Sequence, residues 1–249
     1  MKAFLAVFVV AGGLASAAFA KDTAPVPQSP AQPWVKDNAV LNATIADIQK
    51  GGMKAIASHT ADLEQALAGA KHSFEIAAAG DGKTTYALSD SPNASVRDVM
   101  ATATDKTKKP VTAAFNPYPG ITFFLASYYD ISGKPADALR VVDAGLALPG
   151  ADGSSHRTEL LVERASALGA LKRWQESLAA YDDALKVQGN VPAVEAYIQR
   201  GRGAMLAQLG RVDDSKAAYA ESASLVKDDP DAQRQLDYIR KSREAPGNP

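Results

Sequence analysis

An apolar spacing that recurs at a nearly constant interval constrains the fold of this chain more than any other feature. It is clearest in residues 174–185, and it returns upstream in residues 135–146 and downstream in residues 212–223. Trp174 lies 39 residues after Pro135, and Val212 lies 38 residues after Trp174. A helical unit that repeats at this interval predicts an array of stacked helix pairs, an architecture that holds other molecules and does not transform them.

Small and large residues recur at matching places in the three segments. They are Leu125, Ala126, Tyr129, Gly133, Ala138, Val142 and Gly145, then Ala165, Leu168, Trp174, Ser177, Tyr181 and Ala184, then Gly203, Leu206, Gly210, Ser215, Tyr219 and Ser222. This pattern resembles the tetratricopeptide (TPR) family, whose units are helix pairs with small residues where two helices approach. The resemblance covers residues 118–225 and implies a mainly α fold, a TPR-like α-solenoid of about three helix pairs. Because the intervals exceed the family's usual 34 residues, we expect extended loops around residues 149–155 and 188–192.

A charged segment after Pro230 carries Leu236, Tyr238 and Ile239. It is typical of a terminal helix that covers the last pair and turns a polar side outward. The repeats with this capping helix are therefore predicted to span residues 118–244. Residues 245–249 are predicted to be a disordered tail.

Residues 1–20 have the organisation of a signal peptide. Lys2 supplies the positive start, an apolar run follows, and small residues near the end predict cleavage between Ala20 and Lys21. The apolar run is shorter than the roughly 20 residues that span a bilayer, although an uncleaved signal would act as an anchor. The alanine-rich composition favours a bacterial, Sec-type signal and a periplasmic or secreted protein. Four prolines among polar residues then predict a disordered linker over residues 21–33.

Residues 34–115 differ from the repeats and are predicted to form a small α+β unit. Apolar residues at helical spacing predict one helix over residues 38–49 and a second over residues 53–69. A short helix ending at Ala103 is predicted from the capping residues that follow Pro92.

A β-hairpin is predicted between the second of these helices and the short helix ending at Ala103. Residues 73–77 and 84–88 alternate apolar with polar, and Asp81-Gly82 between them favours a two-residue turn. Residues 77–84 also fit a relaxed phosphate-loop pattern. A phosphate loop needs a following helix whose amino terminus faces the phosphate, and the residues that follow have a strand pattern. The hairpin is therefore the favoured interpretation.

The sequence offers no recognisable catalytic constellation. It contains no cysteine, which excludes disulfides, thiolate metal sites and a thiolate nucleophile. His59, His72 and His156 are far apart and show no metal-ligand spacing. We therefore predict no catalytic residue, no metal and no cofactor. The formal net charge of −1 also argues against nucleic acid and anionic lipid as partners.

The family resemblance implies a concave surface lined by the first helix of each pair. Its predicted partner-binding residues are Phe123, Ser127, Asp130 and Ile131, then Glu159, Val162 and Ser166, then Tyr197, Arg200, Ala204 and Gln208. This lining is mixed and mostly uncharged, and it lacks the Lys and Asn cluster with which chaperone-binding members hold a carboxylate. It therefore suits an extended peptide or an amphipathic helix. The alternative is that several of these residues pack on the N-terminal unit and bind nothing.

These features predict a non-enzymatic periplasmic interaction module or scaffold. Its repeats would bind a peptide or a protein partner in the cell envelope, without nucleic acid and without membrane insertion after signal cleavage. Homo-oligomerisation through an exposed repeat end stays open. The alternative hypothesis makes residues 34–115 an enzymatic or small-ligand-binding unit mounted on the repeats.

Overall fold

A computed structural model of the chain describes residues 32–91, 109–226 and 230–244. The predicted signal peptide, the short helix ending at Ala103 and the C-terminal tail lie outside the described residues, as does the predicted linker except for Gln32 and Pro33. Pro33 begins the first helix, close to the predicted onset of order at Trp34.

The described residues are mainly helical, as predicted, and contain a small two-stranded sheet. A 3-10 segment, Met53–His59, follows the first helix, and a 3-10 turn, Ala151–Gly153, precedes the fifth. The helices and strands in chain order are α1 (Pro33–Gly51), α2 (Thr60–Ala79), β1 (Thr85–Ser89), β2 (Val111–Phe115), α3 (Tyr118–Ile131), α4 (Pro135–Leu146), α5 (Arg157–Ala170), α6 (Trp174–Val187), α7 (Pro192–Gln208), α8 (Val212–Leu225) and α9 (Pro230–Glu244).

Two compact units make up the chain, and the division falls within α5. The first unit ends at Leu160 and the second begins at Leu161. Helices α3 and α4, the first predicted repeat, therefore belong to the same compact unit as α1, α2 and the sheet.

Helix α2 corrects two predictions. It continues to Ala79 instead of ending at Gly69, and it includes residues 73–77, so the predicted β-hairpin is wrong. The reason is a buried stripe at helical spacing that runs the length of the helix: Leu63, Ala66, Leu67, Ala70, Ser73 and Ala77. Residues 73–77 alternate apolar with polar like a strand, but Ser73 and Ala77 also continue this buried stripe. Burial of the stripe favours the helix over the strand.

The sheet is parallel, with Thr85 opposite Val111 and Ser89 opposite Phe115. Strand β1 overlaps the second predicted hairpin strand, but its partner is β2. A two-residue turn can join antiparallel strands only, whereas parallel strands need a long crossover connection. Between α2 and β1, the Asp81 carboxylate accepts hydrogen bonds from the backbone N–H of Lys83 (2.9 Å) and Thr84 (2.8 Å). The stretch that fits a phosphate loop is thus the end of a helix and a turn that leads into a strand.

One turn geometry recurs in the predicted repeats. Gly133, Lys172 and Gly210 have φ of +68°, +60° and +74°, and the residue after each donates a backbone hydrogen bond to a carbonyl five residues earlier. These bonds are Lys134 to Tyr129 (2.8 Å), Arg173 to Leu168 (2.9 Å) and Arg211 to Leu206 (2.9 Å). The 39- and 38-residue intervals of the sequence thus correspond to three copies of one local structure.

Small residues permit close helix packing in the second unit. The Ser177 hydroxyl on α6 donates to the carbonyl of Ala165 (2.6 Å), and the Ser215 hydroxyl on α8 donates to the carbonyl of Gly203 (2.8 Å). A side chain at Gly201 would overlap the ring of Tyr181, so glycine there lets α6 approach α7. Helix α9 packs on α8, and its Ala232 and Ile239 are buried.

Candidate functional sites

The predicted partner-binding residues on α3 do not form a surface. Phe123 is 3% exposed and Ser127 is fully buried, whereas Asp130 is partly exposed and Ile131 is 50% exposed. Ten consecutive residues of α3, 118–127, are buried because the helix packs against α1, α2 and α4. Phe123 and Ser127 are therefore interior residues, and their assignment to an open concave surface is corrected.

The predicted residues on α5 are also largely covered. Val162 is buried, while Glu159 and Ser166 are partly exposed. Glu159 belongs to the first compact unit, and Val162 and Ser166 belong to the second.

The predicted residues on α7 form one continuous face. Tyr197, Arg200 and Ala204 are partly exposed and Gln208 is exposed, and their spacing places them on the same side of the helix. The Arg200 guanidinium lies 5.5 Å from the centre of the Tyr197 ring, a cation–π geometry. We call these four residues the α7 face. It is the part of the predicted surface that keeps both its exposure and its continuity within one compact unit.

A polar cluster that the sequence analysis did not predict lies in the first unit. Its members are Asp90, which follows β1, and Ser154, Ser155, His156 and Glu159 at the start of α5; we call it the Asp90 cluster. One oxygen of Asp90, Oδ2, accepts hydrogen bonds from the hydroxyls of Ser154 (2.7 Å) and Ser155 (3.0 Å), and from the Ser155 N–H (3.2 Å). The same oxygen lies 3.1 Å from His156 Nδ1.

Burial makes these contacts electrostatically important. The Asp90 side chain is 4% exposed and that of His156 is 13% exposed. Burial acts to raise the pKa of Asp90, but the hydrogen bond and positive charge of His156, with the two serine hydroxyls, outweigh it, and the pKa lies below its ordinary value. Burial also raises the pKa of Glu159, and the nearby Asp90 carboxylate acts in the same direction. Glu159 Oε2 is buried and has no hydrogen-bond partner among the described residues.

The geometry of the Asp90 cluster is not that of a Ser–His–Asp triad. In a triad the carboxylate and the serine bond opposite ring nitrogens. Here Asp90 and the Ser155 hydroxyl both approach Nδ1, the serine at 3.3 Å. The Ser154 hydroxyl also accepts the N–H of His156 (3.0 Å), a local serine turn just before α5. The cluster therefore joins the end of β1 to the start of α5.

The other two histidines also contact carboxylates. His59 Nε2 lies 3.0 Å from Asp47 Oδ2, and the exposed His72 lies 3.3 Å from Glu75. Within the described residues, no group of three or more histidine, cysteine or acidic residues is arranged to hold a metal ion.

A second network connects α2 with α3 and α4. The Tyr129 hydroxyl donates to Glu64 (2.7 Å), and Arg140 donates to both Glu64 oxygens (2.6 and 3.2 Å). Burial and the Glu64 carboxylate raise the pKa of Tyr129 to about 12. Tyr129 and Arg140 both bond Glu64, so this carboxylate links the three helices and stabilises their packing.

Sequence reasoning missed the Asp90 cluster because Asp90 lies 64 to 66 residues before the residues that bond it, Ser154, Ser155 and His156. The local signal was the Ser154-Ser155 pair just before a helical pattern, which is typical of an amino-terminal cap. Nothing local indicates that Asp90 is the partner of these residues.

Comparison with known proteins adds no family assignment: no protein-family model matches the chain, and no curated protein matches it. In the part of the chain that the structure describes, no helix is both long enough and apolar enough to cross a membrane.

Proposed function

We propose that the chain is a non-enzymatic interaction module of the bacterial cell envelope, in which TPR-like helix pairs bind a peptide or a protein segment. The observation that carries this proposal is the single turn geometry repeated at Gly133, Lys172 and Gly210. A recurring helix–turn–helix unit with glycine and serine at the helix contacts is the local basis of a repeat array. The pattern of residues 1–20 supports export.

The α7 face is the surface that we propose for binding. Its Tyr197 and Arg200 offer an aromatic ring, a guanidinium and the long side chains that dominate protein interfaces. The adjacent stripe of α7 is occupied by packing, since Ala196, Gln199, Gly203 and Leu206 are buried. Such a mixed face fits an extended peptide or an amphipathic helix that carries both apolar and acidic groups.

Affinity capture from a bacterial envelope extract, with the chain from Lys21 onward as bait, tests this proposal. A Tyr197→Ala/Arg200→Ala double variant should retain at least about tenfold less partner than the unmodified chain, because truncating such anchors costs about 2 kcal/mol or more. The matched control is Lys216→Ala/Glu221→Ala, which changes two exposed residues of α8. Equal capture by all three baits would exclude the α7 face as the binding surface.

A further inference from the structure

The chain contains two Asp-Gly bonds, Asp81-Gly82 in the turn between α2 and β1 and Asp152-Gly153 in the 3-10 turn before α5. Glycine has no side chain to hinder its amide nitrogen, so the preceding aspartate carboxyl can react with that nitrogen. Spontaneous rearrangement of the main chain is therefore easiest at such bonds. In a folded chain, the outcome depends on how each bond is held.

The Asp152-Gly153 bond is held on both sides. The Gly153 N–H donates to the Gly150 carbonyl (3.1 Å), and the Asp152 carboxylate pairs with Arg157 (2.9 Å). Ser154, the next residue, is buried. The Gly153 nitrogen would have to give up its hydrogen bond before it could react.

The Asp81-Gly82 bond lies in the open. Asp81, Gly82 and Lys83 are exposed, and a β-carbon at position 82 would meet no atom within 4 Å. The Gly82 N–H donates no hydrogen bond to any described residue. The bonds of this turn instead involve the carboxyl, since Asp81 Oδ1 accepts from the N–H of Lys83 (2.9 Å) and of Thr84 (2.8 Å).

These two donors do not have to be released during a reaction at the Asp81 carboxyl. Both contact Oδ1, so Oδ2 is the oxygen that can leave. When a nitrogen attacks Cγ, the retained oxygen carries negative charge in the tetrahedral intermediate, and donors aimed at that oxygen stabilise the intermediate. The bonds from Thr84 and Lys83 also lower the pKa of Asp81, so the carboxyl reacts slowly near neutral pH, through its minor protonated form.

We propose that Asp81 is a site of spontaneous isoaspartate formation in the folded chain, whereas Asp152 is protected by its turn. At Asp81 the carboxyl is held within the turn, the attacking nitrogen is free and solvent reaches the bond. The product lengthens the connection between α2 and β1 by a CH2 group. It also converts the acceptor of the Lys83 and Thr84 N–H groups into a main-chain carbonyl.

The chemistry consumes and returns one molecule of water. The Gly82 nitrogen attacks the Asp81 Cγ and forms a C–N bond, while the bond from Cγ to Oδ2 breaks and Oδ2 leaves as water with the amide proton and the carboxyl proton. Water then opens the succinimide ring. Attack at the side-chain carbonyl restores aspartate, whereas attack at the main-chain carbonyl breaks its bond to the Gly82 nitrogen and leaves isoaspartate. Nothing is oxidised or reduced.

Incubation of the purified chain in mildly acidic buffer at physiological temperature, once folded and once in urea, tests this proposal. Electron-transfer fragmentation of its peptides distinguishes isoaspartate from aspartate and gives the yield at position 81 divided by the yield at position 152. We expect this quotient to be at least about fivefold larger in the folded chain than in urea, the factor that one hydrogen bond of about 1 kcal/mol produces. A quotient that is no larger in the folded chain, or no isoaspartate at position 81 in the folded chain, would overturn the proposal.

Gly82→Ala tests the route of the reaction. Its methyl group hinders the attacking nitrogen, so the yield at position 81 should fall several-fold and the yield at position 152 should not change. Gly153→Ala is the matched control, since a β-carbon there also meets no atom within 4 Å, and it should leave the yield at position 81 unchanged. An undiminished yield at position 81 in Gly82→Ala would contradict cyclisation through Gly82. Gly82 has φ of +89°, and if strain prevents Gly82→Ala from folding, the quotient in the unmodified chain decides.

Discussion

At the scale of single residues, close approach and burial determine which substitutions should change the stability of the fold. Gly145 on α4 lies against Thr122 on α3, and a β-carbon at position 145 would come within 2.8 Å of the Thr122 β-carbon and closer still to its Oγ1 and Cγ2. Thr122 Oγ1 is buried with no hydrogen-bond partner among the described residues. The contact between Gly145 and Thr122 therefore depends on close packing, and no hydrogen bond of the Thr122 hydroxyl contributes to it.

Gly145→Ala should lower the free energy of unfolding by about 1 to 3 kcal/mol, because the added methyl group overpacks the α3–α4 contact. The loss can be measured by urea denaturation followed by circular dichroism. Thr122→Ala removes two of the three overlapping atoms and should recover part of the loss in the double variant. Additive losses in the double variant would show that the two positions do not clash.

At the scale of elements, the repeated turn explains the periodicity of the sequence. Its left-handed residue is Gly133 in the first copy, Lys172 in the second and Gly210 in the third. Glycine adopts this backbone conformation without steric cost, whereas other residues pay about 1 kcal/mol. The second copy therefore carries strain that the other two avoid.

Substitutions at two equivalent turns of the second unit should change stability in opposite directions. Gly210→Ala should lower the free energy of unfolding by about 1 kcal/mol, since it imposes the strain. Lys172→Gly should raise it by about 0.5 kcal/mol, because the relieved strain is partly offset by the greater entropy of glycine in the unfolded chain. Urea denaturation measures both, and a destabilising Lys172→Gly would contradict the equivalence of the turns.

Helical periodicity and turn residues made much of the fold predictable, whereas long-range pairing was not. Residues 135–146, 174–187 and 212–225 are helices, as the recurring spacing predicts. Residues 73–77 alternate and were predicted as a strand, but their place on the buried stripe of α2 keeps them helical. The partner of β1 and the bond from Asp90 to residues 154–156 each depend on chain closure over many residues, and no local pattern specifies them.

At the scale of the whole molecule, the two compact units have different chemistry. The first contains the sheet, all three histidines and the Asp90 cluster. The second contains the α7 face, whose four residues were predicted from the sequence as part of a larger surface. The proposed partner-binding surface therefore lies in the second unit.

The most direct test of partner binding is site-specific photo-crosslinking in cells from position 204, with position 217 as the control. Both positions are alanines; Ala204 lies on the α7 face and Ala217 is exposed on α8. The account predicts that the partner captured by the unmodified bait is crosslinked from position 204 and not from position 217. Equal crosslinking from both positions, or crosslinking from position 217 alone, would contradict it.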